Sequence, residues 1–137
     1  MFRDDNERSP VMPIPDRWSP YLLSAFRFVF GLLFLGHGVS KFFGLPPFPM
    51  PLNPLLTVAG VLELVGGALI AVGLLTRPVA FLLSGQMAVA YFLAHAPQGW
   101  LPLANGGEAA ILYCFGFLYL AAAGGGRWSV DALRWRG

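Results

Sequence analysis

The stretch YLLSAFRFVFGLLFLGHGVSKFF, residues 21–43, decides the fold. It is apolar over nearly its whole length. At 1.5 Å per residue, a helix of this length spans the ~30 Å hydrocarbon core of a bilayer. Three of its residues nevertheless ionise: Arg27, His37 and Lys41. A charge near the bilayer centre costs ~2.5–3.5 kcal/mol on insertion scales, so such a side chain turns toward a bundle interior, water or an opposite charge.

The rest of the chain has the same character. Of 137 residues, 56% are hydrophobic and only 12% charged, with a mean hydropathy of +0.63. Soluble domains carry about a quarter charged residues, so lipid is the expected solvent. A net charge of +2 without a basic run excludes a nucleic-acid surface. Cys114, the sole cysteine, lies in an apolar run and reads as a buried, inert thiol.

Residues 1–20 form a polar, proline-rich tail that ends at an interfacial anchor, Trp18. The following apolar run lacks a signal-peptide cleavage site and reads as a span. The linker GLPPFPMPLN, residues 44–53, carries four prolines and stops the first helix. Further apolar segments cover residues 55–75, 79–95 and 107–123, closed respectively by Thr76-Arg77-Pro78, Pro97 and Gly124-Gly125-Gly126. Helical lengths without barrel-like alternation predict an all-α membrane protein, with a four-helix transmembrane domain over residues 21–126.

Arg3, Arg8 and Arg17 precede the first span, Arg77 separates the second and third, and Arg127, Arg134 and Arg136 follow the fourth. The other two loops hold no Lys or Arg, so the positive-inside rule predicts that both termini are cytosolic. Residues 127–137 read as a cytosolic interfacial tail. A short helix there would start at Ser129 as N-cap with Asp131 in its first turn, Trp128, Leu133 and Trp135 dipping into the headgroups; a frayed end is the alternative.

Helical geometry predicts where the polar residues fall. Lys41 lies ~40° and His37 ~80° around the axis from Arg27. Glu63, on the returning second span, is expected near mid-membrane, with Gln86 at similar depth and His95 and Glu108 near the outer boundary. The expected candidate pocket is therefore outward-facing and comprises His37, Lys41, Glu63, His95 and Glu108, with Arg27 closing it from below. Glu63 would pair with Arg27 or Lys41. Such charges could relay protons or hold a polar headgroup; equally, they could only fix helix register. The histidine and carboxylate spacing gives no metal motif. Gly31, Gly36, Gly38, Gly66 and Gly67 are the expected helix-packing residues, with Gly60 and Gly73 in the same role.

Five motifs together resemble the DoxX family of small membrane proteins. They are RFVFGLLFLGHGVSKFFG from Arg27, GVLELVGGALIAVGLLTRP from Gly60, MAVAYFLAH from Met87, NGGE from Asn105 and GGGRWSVD from Gly124. The match runs in order over residues 21–133 and carries Arg27, His37, Lys41, Glu63, His95, Glu108 and Asp131. The resemblance implies a four-helix bundle in the bacterial cytoplasmic membrane and a redox setting. Members are described as subunits of a thiosulfate:quinone oxidoreductase or terminal quinol oxidase, and as membrane partners of oxidative-stress enzymes.

On that footing, the expected function is a subunit or partner of a membrane oxidoreductase system. A quinone headgroup would meet Lys41 or His37 as donors and Glu63 or His95 as proton-exchanging groups. The sequence has no haem motif, CxxC pair, nucleotide loop or iron–sulfur cysteine set, so an electron-transfer cofactor would belong to a redox-enzyme partner. Two rival readings are a non-enzymatic anchor, recruiting an enzyme through its Trp-rich tail, and a small-solute transport component working as a homo-oligomer.

Overall fold

The computed structural model describes residues 13–134. The expectations placed on Arg3, Arg8, Trp135 and Arg136 lie outside the described residues. A single 3₁₀ turn, Asp16–Trp18, leads into α1, Ser19–Phe43, with Pro20 in the first turn, where its missing N–H has no helical acceptor to lose. Gly44, at φ 68°, ends α1 in the left-handed conformation that glycine adopts without steric cost. The proline-rich linker follows. Asn53 then caps α2, Pro54–Val72, its side-chain oxygen accepting from the Leu56 amide at 2.8 Å.

α2 ends at Gly73, and α3, Thr76–Ala90, starts before the expected residue 79. Proline is the reason for the difference. Pro78 sits in the first helical turn, where it is tolerated, and so does not hold the helix back. α3 continues through a π-helical turn, Tyr91–His95, and a 3₁₀ turn, Ala96–Gln98. A one-turn helix α4, Pro102–Asn105, precedes α5, Glu108–Ala123. After the glycine run comes α6, Val130–Arg134, whose start is capped: Ser129 Oγ accepts from the Ala132 amide at 3.1 Å.

α1, α2, α3 and α5 pack antiparallel, with α1 against α2 and α3 against α5 as the closest pairs. Glycines permit the first contact. A Cβ on Gly67 would stand 2.7 Å from the Leu35 amide nitrogen, one on Gly38 2.8 Å from Leu64, and one on Gly31 would strike the Ala71 backbone. Gly66 does the same service for Leu83 across α2 and α3. Gly36 departs from the expectation: nothing lies within 4 Å of a Cβ placed there, because it points out of the bundle. Between α3 and α5, the Ser84 hydroxyl donates to the Cys114 carbonyl at 2.7 Å.

Phe34, Ile70, Ala80, Leu83, Met87, Phe117 and Leu120 form the core. The outside is just as apolar, with Leu33, Val65, Phe81, Phe92, Leu112 and Phe115 all exposed. A continuous apolar exterior of this kind is not a water-facing surface. Three helical stretches, Asp16–Phe43, Pro54–Val72 and Thr76–Gln98, are long and apolar enough to cross a membrane, and Glu108–Ala123 is a shorter apolar helix.

Candidate functional site

Lys41 stands in the last turn of α1 and Glu63 near the middle of α2. Lys41 Nζ donates to both Glu63 oxygens at 2.9 Å. Among the described residues this is the one ion pair, and its side chains are 9% and 5% exposed. Phe48, from the linker, places its ring 5.0 Å from Nζ and covers the pair. Desolvation of both charges opposes their attraction here, so the pair's net stabilisation is small, while loss of either partner would leave a buried charge alone.

His37 lies one turn before Lys41 on α1. Its ring centroid is 5.8 Å from that of Tyr113 on α5 and 6.4 Å from that of Phe34. Unlike the ion pair, His37 is exposed. From α3, Gln86 Nε2 donates to the Ala59 carbonyl at 3.5 Å, and its Oε1 is buried without a partner. Ala59 precedes Glu63 by one turn, on the same face of α2. All four long helices thus bring a polar side chain toward this part of the bundle. The contributions of Tyr113 and Gln86 were not read from the sequence as part of a site, although both are polar residues within apolar spans.

His95 and Glu108 make no hydrogen bond or ion pair to this group among the described residues. His95 closes the π turn, and its Nδ1 donates to the Asn105 carbonyl at 3.2 Å, which fixes the tautomer. Asn105 organises that loop. It is buried, donates from Nδ2 to the Gly99 carbonyl at 2.8 Å and the Tyr91 hydroxyl at 3.2 Å, and accepts from the Gly107 amide at 2.8 Å. Glu108 is exposed in the first turn of α5, where a negative charge suits the helix dipole.

Arg27 belongs to the other end of the bundle and does not close the pocket. It is 2% exposed, yet its partners are carbonyls. Nε donates to Gly125 at 2.9 Å, Nη1 to Ile70 at 3.1 Å and Ala71 at 3.0 Å, and Nη2 to Trp128 at 2.6 Å. One guanidinium therefore joins α1, the last turn of α2 and the glycine-rich segment. Ser24 adds to the same joint, donating to the Gly125 carbonyl at 3.1 Å and accepting from the Trp128 amide at 2.9 Å.

Asp131 completes it. Its oxygens accept from the Leu75 amide at 2.8 Å and the Thr76 amide at 2.9 Å, capping α3 from a residue far along the chain. Leu75, at φ 53°, is the one non-glycine residue with positive φ among those described, and the Asp131 cap holds it in that turn. Burial alone would raise the Asp131 pKa. The hydrogen bonds from Thr76 and Leu75, with the charge of Arg134, outweigh it and hold the carboxyl below the usual carboxylate range.

An apolar-surfaced helical bundle with a buried ion pair defines an integral membrane protein. The DoxX family model matches residues 22–96, and the chain belongs to the DoxX family. It is 42% identical over 127 residues to an uncharacterized protein of Haemophilus influenzae, covering 85% of this chain and 92% of that one. An uncharacterized membrane protein of Mycobacterium tuberculosis is 29% identical over 128 residues, covering 77% of this chain and 76% of its own length. No solved structure matches the chain.

Proposed function

We propose that the chain crosses the bacterial cytoplasmic membrane four times, with both termini in the cytosol, and serves a quinone-linked membrane oxidoreductase as a subunit or partner. The topology rests on Arg77, Arg127 and Arg134 gathering at one end, while the linkers at the other end hold no Lys or Arg. α5 is the short span, at roughly 24 Å of helix, and local thinning of the bilayer accommodates it. In a Cys114→Ser background, a membrane-impermeant thiol reagent added to intact cells labels a cysteine at Gln98 and leaves one at Ser19 unlabelled. The reverse result sinks this orientation.

The observation that carries the functional reading is a buried Lys41–Glu63 pair beside an exposed His37. The residues present fit a quinone headgroup: His37 and Lys41 offer N–H donors to its oxygens, and the half-buried Phe48 and Tyr113 offer aromatic surface to its ring. A bound quinone supplies two-electron acceptance. The protein's part is to orient the ring, keep bulk water out and hold a proton at the His37 imidazole or the Glu63 carboxylate. Electrons arrive from a partner enzyme that carries its own cofactor.

Titration of the purified full chain with a short-chain ubiquinone or menaquinone gives saturable binding. Loss of one donor in His37→Ala weakens it roughly tenfold. Non-saturable partitioning that is unchanged in His37→Ala overturns the quinone assignment.

A further inference from the structure

At the opposite end of the molecule from the Lys41–Glu63 pair, the glycine-rich segment is tied to the first turns of α1. The Arg127 amide donates to the Pro20 carbonyl at 3.4 Å, and the Trp128 amide to the Ser24 hydroxyl at 2.9 Å. Gly126, at φ 81°, makes the bend, and a Cβ there would meet the Pro20 carbonyl oxygen at 2.7 Å. Two consecutive side chains, Arg127 and Trp128, are thereby set against α1. The Arg127 guanidinium stands 5.9 Å from the Tyr21 ring centroid, and the Trp128 ring lies 4.8 Å from Tyr21. Between them and the α1 start runs an open groove of about 840 Å³, lined by Arg17, Trp18, Pro20, Tyr21, Leu22, Arg127 and Trp128.

The groove has the layered chemistry of a lipid headgroup region. Among the described residues its lining holds two guanidiniums and no carboxylate; the nearest acid in sequence, Asp16, lines a different groove with Leu23, Phe26 and Tyr119. Trp18 and Trp128 are 49% and 66% exposed, as amphipathic rings at headgroup level are. Leu22 is exposed one turn deeper along α1 and offers an apolar wall. Arg17 and Arg127 both line the groove, and arginine forms forked hydrogen bonds with phosphate oxygens, so its charge suits a phosphodiester. The two exposed indoles suit the glycerol level of a lipid, and the exposed Leu22 suits its acyl chain. A water-soluble anion would gain nothing from the tryptophans or the leucine.

We propose that this groove is a binding site for one anionic phospholipid, with Arg17 and Arg127 holding its phosphate. It is independent of the quinone reading and uses none of the same residues, so either can fail alone.

The test uses the purified full chain in detergent, with native mass spectrometry against an equal mixture of phosphatidylglycerol and phosphatidylcholine of matched acyl chains. The wild type retains phosphatidylglycerol preferentially. Arg17→Gln lowers that retention about fivefold, and Arg17→Gln with Arg127→Gln about thirtyfold, at the value of one cation per step near an anionic headgroup. Arg17 makes no side-chain hydrogen bond among the described residues, so the single variant folds and reads the site even if the double variant does not. Arg134→Gln, at the same end but outside the groove, leaves retention unchanged. Equal retention of the two lipids, an equal loss in Arg134→Gln, or displacement by millimolar inorganic phosphate would each overturn the assignment. The first would mean no headgroup selection, the second a diffuse surface charge and the third a site for free phosphate.

Discussion

Replacing Glu63 with Leu lowers the stability of the bundle by about 3–5 kcal/mol, the usual result of leaving one member of a buried ion pair without its partner. Lys41 cannot easily recover by reaching water, because Phe48 lies over its ammonium and its side chain is only 9% exposed. Replacing both partners, as Lys41→Met with Glu63→Leu, restores most of that loss, since two apolar side chains avoid the desolvation cost of two charges. The double-mutant cycle in an unfolding titration therefore shows a large coupling energy. Glu63→Gln falls in between, because the amide oxygen still accepts from Nζ. The informative comparison is function in the stable double variant. If it folds yet no longer binds quinone, the charges are there for chemistry. If it folds and binds as the wild type does, they set the α1–α2 register and the site lies elsewhere. Single and double variants of equal stability would show that no buried pair exists.

The helix wheel placed Arg27, His37 and Lys41 on one face of α1, but a shared face is not a shared site. Arg27 and Lys41 are fourteen positions apart, about 21 Å along the axis. They meet different ends of α2, Arg27 at the Ile70 and Ala71 carbonyls and Lys41 at Glu63. Antiparallel packing makes the second of these legible in outline, since charge seeks opposite charge at matching depth. The first was not legible. The acceptors of Arg27 are backbone carbonyls, which every residue carries and no residue type advertises. The same holds for Asp131, whose partners are the amides of Leu75 and Thr76. The GGGRWSVD and TRP segments were both visible as motifs, and only the folded chain shows that they bind each other. Gly36 illustrates the converse. It sits in the glycine-rich first span like Gly31 and Gly38, yet helix phase turns it outward, away from α2. A tail deletion is consequently a poor probe of partner recruitment: removing residues 127–137 also removes Trp128 and Asp131 from the joint that holds α1, α2 and α3.

Arg27→Met opens that joint and costs more than about 4 kcal/mol, because each hydrogen bond from a charged donor contributes ~1.5–3 kcal/mol and the Gly125, Ile70, Ala71 and Trp128 carbonyls lose theirs together. Arg27→Lys recovers only part of this. A single ammonium cannot reach acceptors that a planar fork meets from three nitrogens. Hydrogen exchange localises the damage: amides after Gly124 and around Leu75 lose protection first, and trypsin gains access at Arg127. A tail that stays protected in Arg27→Met would sink the claim. Asp131 adds a pH dependence of known sign. Its pKa is lowered on folding, so the stability it contributes is fully present above the pKa of the unfolded carboxyl and is lost as pH falls through the lower folded value. The tail therefore remains latched at neutral pH and loosens only in acid. Asp131→Ala abolishes that acid step and costs about 1 kcal/mol at neutral pH, as loss of a helix cap does. Arg27 and Asp131 thus hold one segment by opposite means, a cation on carbonyls and an anion on amides. For that reason acid weakens the second hold while leaving the first in place.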